Sequence, residues 1–412
     1  MNGIAVAVKM LTMLSLNKIL AIYVGPAGYA AIGQLQNVVT MITTFASGAI
    51  NTGVIKYTAE HDKNEERQLR VWHTAGFISL LGSLFASITI AFFSKPLAIL
   101  FLKSEHYTGV FLWFSATLTL FVLNSLLLAI LNGKKEIAIF VVANITSSLF
   151  ALFITSILVI YHGLYGALVS LVTYQSFVFF ITLTLCHRTK WFKTIRFPLY
   201  FDINVAKNLA KYALMAFTTA VCVPLSHILV RSHIGATLSW IEAGYWDAMW
   251  RLSSNYLMLA TTTLSFYYLP RLSELKNSSD LKNEIFYGHR LVFPIAAICG
   301  LLLYAYRDIC IEILFTKDFL PMRNLFAWQL VGDTLKLGGW IFGYLMLGKA
   351  MFRMYICSEF CFSILFVLLA FLFIKLVGIE GVALAHAVNY FLYWVIMGLI
   401  IIMNLNQGKL NA

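Results

Sequence analysis

Runs of about twenty apolar residues, broken by short polar segments, recur from one end of the 412-residue chain to the other. Each run can cross a ~30 Å hydrocarbon core as a helix, whereas the strands of a membrane barrel would alternate apolar and polar over ~10 residues. The pattern predicts an all-α polytopic membrane protein with twelve spans, at roughly 3–24, 28–55, 71–93, 108–131, 137–160, 164–186, 208–231, 243–268, 289–306, 322–347, 354–376 and 380–403. Composition agrees, since with 60% hydrophobic and 12% charged residues a soluble chain of this length could not cover its surface. The run behind Met1 reads as an uncleaved first helix rather than a signal peptide, because eleven further spans follow it. No loop is long enough for an extramembrane domain.

The excess of basic residues, a net charge of +12, is explained by placement rather than by nucleic acid. With the N-terminus cytoplasmic, the loops on that side hold eighteen Lys and Arg, from Lys56 to Lys409, against four (Lys95, Lys103, Arg307 and Lys317) in the opposite loops. The positive-inside rule then puts both termini in the cytoplasm. Lys211, Arg231, Arg323 and Lys375 fall near span ends, where they are expected to snorkel. The six cysteines lie in or beside apolar spans with no metal-like spacing, and read as small buried hydrophobes. No cofactor or metal site is expected.

A degenerate repeat runs through the chain. Gly28-Tyr29 returns as Gly244-Tyr245, Leu100-Phe101-x-Lys103 as Leu314-Phe315-x-Lys317, Gly133-Lys134 as Gly348-Lys349, and Gly163-x-x-Gly166 as Gly378-x-x-Gly381, at offsets of 216, 214, 215 and 215 residues. Six spans per unit is an even number, so both units insert in the same direction, and transporters built this way hold substrate between their halves. The expected organisation is an N-terminal six-helix lobe over 1–186, a basic linker over 187–207 containing Pro198, and a C-terminal six-helix lobe over 208–412, pseudo-symmetric around a central cavity.

Charge inside the spans is concentrated in the second lobe. In the tenth span Gln329, Asp333, Lys336, Trp340 and Tyr344 project within about 80° of one another, with Asp333 roughly 16 Å from Met322. An ionisable group at that depth costs roughly 2.5–3.5 kcal/mol, so the stripe should face a bundle interior or a wet cavity; a bare Asp333–Lys336 packing pair is the bland alternative. The eighth span offers Asp247, Arg251, Ser254, Thr261 and Ser265 on one face, with Asp247 and Arg251 one turn apart. Trp240 and Trp246 nearby suit an aromatic belt, while the deeper Arg251 guanidinium suits a phosphate oxygen. The second span presents Asn37, Thr40, Thr44, Ser47 and Asn51, groups that bond helix to helix at least as often as they bind ligand. Lys18 in the first span needs either an acid from another helix or an anionic ligand. Glu359 could be that acid or a proton carrier, His386 reads as a packed core histidine, and Pro224 is a hinge or a static kink in the seventh span. Gly343-x-x-x-x-Gly348-Lys349 is a P-loop decoy, because Ala350 replaces the required Ser or Thr and no strand precedes it.

Tyr23-Val-Gly-Pro-Ala-Gly-Tyr29, Gly53-Val-Ile-Lys-Tyr57, Leu269-Pro-Arg-Leu272 and above all LFAWQLVGD from Leu325 to Asp333 make the chain similar to the Wzx-type polysaccharide flippases of the multidrug/oligosaccharidyl-lipid/polysaccharide exporter superfamily. The block ending in Asp333 resembles the branch that moves the enterobacterial common antigen repeat unit, with O-antigen flippases close by. That resemblance implies a multi-pass protein of the bacterial inner membrane, not an enzyme, which flips an undecaprenyl-pyrophosphate-linked oligosaccharide from the cytoplasmic to the periplasmic leaflet by alternating access. Its partners would be that lipid-linked substrate and membrane lipid, with a polymerase and a chain-length-control protein as candidate partners. The substrate-site residues expected are Lys18, Arg251, Lys336, Asp247, Asn37, Gln329 and Trp340, with Asp333 and Glu359 for ion coupling. Two features depart from the family, a polar segment before the first span that is short or missing and a lysine in the first span where related flippases often have arginine. The runner-up is a multidrug antiporter of the same superfamily, against which three deep cations argue, because like charges repel a cationic substrate.

Overall fold

A computed structural model describes residues 2–193, 201–275, 277–349 and 351–407. The middle of the expected linker, 194–200 with Pro198, lies outside the described residues, as does Ala350. The described chain is helical from α1 (Asn2–Ala46), α2 (Asn51–Glu60), α3 (Glu65–Phe92), α4 (Ser94–Leu102), α5 (Thr108–Gly133), α6 (Ile137–His187) and α7 (Lys190–Lys193) through α8 (Ile203–Thr237) and α9 (Trp240–Thr263). It continues in α10 (Leu269–Glu274), α11 (Ser278–Ala305), α12 (Arg307–Leu314), α13 (Phe326–Gly348), α14 (Phe352–Val377) and α15 (Glu380–Asn406).

Eight of these helices are long and apolar enough to cross a membrane. Two of the eight are double spans, because α1 breaks at Gly25 (φ 68°) and α6 at Gly163 (φ 52°). The expected α9 and α13 complete the twelve; they are the spans that carry Asp247, Arg251, Asp333 and Lys336, which is why length and apolarity alone miss them. The fold is an all-α arrangement of twelve membrane helices in two lobes. Its compact units divide at Met1–Pro224 and Leu225–Ala412. The first half of α8 belongs to the first unit, where Leu209 is fully buried in a cluster with Ile50, Val54 and Trp72.

The repeat is visible in backbone geometry. Gly163 (φ 52°, ψ −133°) and Gly378 (φ 69°, ψ −145°) make the same left-handed turn between the last two spans of each unit. Three residues on, a Cβ at Gly166 would meet the Leu158 carbonyl oxygen at 1.9 Å, and one at Gly381 the Phe373 carbonyl at 2.3 Å. Leu158 and Phe373 are themselves one repeat apart. The two glycines of the motif therefore serve different needs, positive φ at the first and close backbone approach at the second. The shared Gly-Lys dipeptide closes the same end of each unit: Lys134 Nζ donates to Gln68 Oε1 at 3.2 Å, and Lys349 Nζ to the Leu275 carbonyl at 2.5 Å.

Several boundaries differ from expectation. The tenth span does not start as an α-helix at Met322; Lys317–Leu325, with Pro321 inside, is a 3-10 segment, and α13 begins at Phe326. Asp333 is thus seven residues, about 10 Å, into the α-helix rather than about 16 Å. The second span breaks near Gly48 (φ 66°) and Ala49 (φ 53°), so Asn51 sits on α2, off the stripe of Asn37. The eighth span leaves α geometry in a π-turn over Leu264–Tyr268, which shifts the helical phase ahead of α10; the side chain of Ser265 lies outside the described residues. Gly343 and Gly348 are both inside α13, as expected of a P-loop decoy.

Candidate functional site

The N-cap of α9 sets the register of the site. Ser239 Oγ accepts from the Glu242 backbone N–H at 3.1 Å, and the Ser-x-x-Glu pattern starts the helix at Trp240. Asp247 follows two turns later, buried at 3% exposure between two arginines. Arg231 of α8 donates from Nη2 to Asp247 Oδ1 at 2.6 Å, and Arg251 from Nε to Oδ2 at 2.8 Å. Arg231 is 1% exposed and lies over the Trp246 ring, 5.4 Å from its centroid. It does not snorkel, because the face of α8 that carries it packs on Asp247 rather than on lipid. Trp246, also 1% exposed, is a core side chain and not part of an aromatic belt. Arg251 keeps 20% of its side chain accessible, so of the two guanidiniums it is the one an anion can reach.

A second carboxylate organises α9, α13 and α15. Asp333 is 1% exposed, and both its oxygens are enclosed by donors. Oδ1 accepts from Gln329 Nε2 at 3.3 Å and from His386 Nε2 at 2.9 Å, and Oδ2 accepts from Ser253 Oγ at 2.6 Å and from the Tyr256 hydroxyl. An ionised carboxylate only accepts, so neutral His386 carries its proton on Nε2. Gly332 makes room for this contact: a Cβ there would lie 2.3 Å from His386 Cδ2 and 3.0 Å from the Ala387 nitrogen.

Lys336 does not neutralise Asp333 in an ion pair. Among the described residues its ammonium is in no ion pair, and it sits instead in an aromatic cage, 4.4 Å from the Trp250 ring centroid, 5.2 Å from Trp340 and 5.3 Å from Tyr390. Cation–π attraction of this kind is strongest where water is excluded, and Lys336 is 8% exposed. Glu359 on α14 is half-buried and within electrostatic reach of Lys336. Pro224 lies inside α8 at the boundary between the compact units.

In the first unit, Lys18 and Asn37 are half-buried on α1. The Tyr29 hydroxyl donates to the Asn17 carbonyl at 2.5 Å, tying the second span to the first beside Lys18. Thr40 Oγ1 donates to the Gln36 carbonyl within α1 and Ser47 Oγ to the Thr44 carbonyl from the turn just past its end, while Asn51 crosses to α5, donating to Ser125 Oγ at 2.7 Å. Hydroxyls four residues from a helical carbonyl are satisfied locally before they reach a neighbour. The cysteines are free, and only Cys186 is buried; Cys299, Cys357 and Cys361 lie on exposed faces of their spans, where a small weakly polar side chain is equally at home.

Along α13 the structure joins Gln329 to Asp333 and Lys336 to Trp340, as their spacing suggests, and adds partners from other helices that sequence reasoning did not supply: Arg231, Trp250, Ser253, Tyr256, His386 and Tyr390. The available signal was the Gly332-Asp333 pair, a small residue beside a buried acid.

Residues 19–324 match the family described as polysaccharide biosynthesis protein. The chain belongs to that family. It is 30% identical over 387 residues to the lipid III flippases of Escherichia coli (strain K12) and Shigella flexneri, an alignment covering 94% of this chain and 93% of each relative. Its fold is that of the MOP superfamily. An inward-facing multidrug resistance MATE family transporter superposes with a TM-score of 0.81 at 16% identity, over 97% of this chain and 95% of that one. A MOP superfamily transporter from Pyrococcus furiosus, whose structure was described as having a binding pocket of reversed polarity, gives 0.71 at 14% identity, over 98% and 96%. The family member described here is a transporter of the flippase type rather than an enzyme, and a multi-pass protein of the inner membrane.

Proposed function

We propose that this polysaccharide-family transporter flips an undecaprenyl-pyrophosphate-linked oligosaccharide, of the enterobacterial common antigen or O-antigen class, from the cytoplasmic to the periplasmic leaflet by alternating access. The observation that carries this reading is the match to lipid III flippases over nearly the whole of both chains. Two individual cations of the second unit support it, Arg251 and Lys336. A pyrophosphate headgroup crossing hydrocarbon needs its hydration replaced by fixed donors, while the polyprenyl tail can stay in lipid. Arg251 supplies a guanidinium that is held in place by Asp247 yet accessible, Lys336 a buried ammonium without an ion pair among the described residues, Trp340 an aromatic wall beside it, and Gln329 an amide that donates to Asp333 on the same helix. Lys18 and Asn37 are the corresponding candidates in the first unit. Asp333 and Glu359 are assigned to ion coupling, and Pro224, where the compact units divide, to the hinge. The distribution of basic loops supports cytoplasmic termini.

The test is a choice of cargo in proteoliposomes. The protein is expected to move a fluorescent undecaprenyl-pyrophosphate oligosaccharide between leaflets and to leave a soluble organic cation untransported; the reverse outcome assigns it to multidrug export. An imposed ion gradient should accelerate the wild type, and acceleration that survives in both Asp333→Asn and Glu359→Gln removes these two residues from coupling.

A further inference from the structure

Two of the rings that cage Lys336 are also the walls of the His386 site. Trp250 lies 4.4 Å from the Lys336 ammonium and meets the His386 ring at 5.4 Å, edge to face at 84°. Tyr390 lies 5.3 Å from the ammonium and 4.8 Å from the imidazole. A ring that already holds one cation attracts it less when a second positive charge is brought against the same ring, and the two cations repel through a medium that screens poorly.

The charges around this cluster can be followed helix by helix. From α13 come Asp333 and Lys336; from α9, Tyr256, which shares the Asp333 carboxylate; from α14, Glu359, within electrostatic reach of Lys336; from α8, His227, whose ring meets Trp250 at 4.2 Å, and beyond it Arg231; and from α15 itself, Tyr390. His386 is the member that combines a carboxylate partner with an imidazole, the side-chain type whose unperturbed charge change lies closest to neutral pH. His227 faces Trp250 too, but no carboxylate partners it among the described residues. With His386 neutral, Lys336 is the nearest full positive charge to Asp333 in the cluster. Once His386 is protonated, it matches the Asp333 charge directly at 2.9 Å, and Lys336 loses that balance while gaining a repelling neighbour.

We propose that protonation of His386 releases Lys336 from its aromatic cage and presents the ammonium to an anionic headgroup, a switch that rests on the headgroup reading given above. By reciprocity, an anion bound at Lys336 strengthens proton binding at His386 by the same factor as the proton strengthens the anion.

The experiment uses the full chain in nanodiscs and has two readouts. In the first, the tryptophan fluorescence that is lost in Trp250→Phe is followed from about pH 8 to 5, because an imidazolium against an indole quenches it where a neutral imidazole does not. A titration is expected in the wild type and in His227→Gln, and none in His386→Gln; a titration that persists in His386→Gln, or disappears in His227→Gln, overturns the proposal. In the second, binding of a short-chain polyprenyl-pyrophosphoryl N-acetylglucosamine is measured, a diester whose phosphates do not titrate over this range. Affinity is expected to rise about tenfold on acidification in the wild type and to become independent of pH in both His386→Gln and Lys336→Gln, with the fluorescence titration retained in Lys336→Gln. Wild-type binding that does not change with pH overturns the link to the headgroup. Absence of binding at every pH defeats the headgroup reading of Lys336, while a fluorescence titration confined to His386 still supports the proton site.

Discussion

Asp333 shows how much one side chain can demand of its neighbours. Four donors from three helices converge on it, so Asp333→Asn brings an NH2 group against at least one N–H or O–H and leaves buried polar atoms unmatched. A loss of about 2–3 kcal/mol is expected, read as a lower midpoint of thermal unfolding in detergent, alongside the loss of coupled transport. Gly332→Ala should act on the same contact from outside: its methyl would occupy the place of His386 Cδ2 and press on the backbone at Ala387, costing about 1–3 kcal/mol and separating His386 from Asp333. The Arg231–Asp247–Arg251 cluster makes a contrasting case. Arg231→Met strips a 1%-exposed partner from a buried carboxylate and should destabilise by about 3–5 kcal/mol, whereas Arg251→Ala, at a partly accessible site, should unfold near the wild-type temperature and lose transport. In the sequence, Asp247, Arg251, Asp333 and Lys336 stood out because ionisable residues within a span require a reason. Their partners did not, because a histidine or tryptophan in an apolar run fits ordinary packing equally well, and which helices face each other is not written in the spacing along any one of them.

At the scale of elements, the duplicated glycine motif gives the sharpest expectation. Gly163 and Gly378 have positive φ with open space where a Cβ would go, so alanine at either should cost only the backbone strain of about 1–2 kcal/mol. Gly166 and Gly381 are closed by the carbonyls of Leu158 and Phe373, so alanine there must push two helices apart and should cost more. Unfolding midpoints of the four variants should therefore pair across the repeat, 163 with 378 and 166 with 381; pairing by lobe instead would show that the motif is not used alike in the two units. This part of the architecture was legible in advance, since the period of about 215 residues survives where geometry leaves no alternative to glycine. Element ends were less legible: the 3-10 entry to α13 and the π-turn after α9 keep the apolar pattern of an ordinary helix, and only their hydrogen bonding differs.

For the whole molecule, apolar run lengths were enough to give twelve membrane helices, because a bilayer admits few other ways to satisfy a backbone. The cargo was not legible in that way; it enters through likeness to flippases and through two cations of the second unit, Arg251 held by Asp247 and Lys336 held by aromatic rings. The account stands on those cations meeting an anionic lipid headgroup. The most direct measurement is the rate of leaflet translocation of a fluorescent undecaprenyl-pyrophosphate oligosaccharide in proteoliposomes, for the wild type beside Arg251→Ala and Asp333→Asn. Translocation by the wild type that falls at least tenfold in both variants, with Arg251→Ala still folded, is the predicted result; undiminished translocation by both would contradict the account.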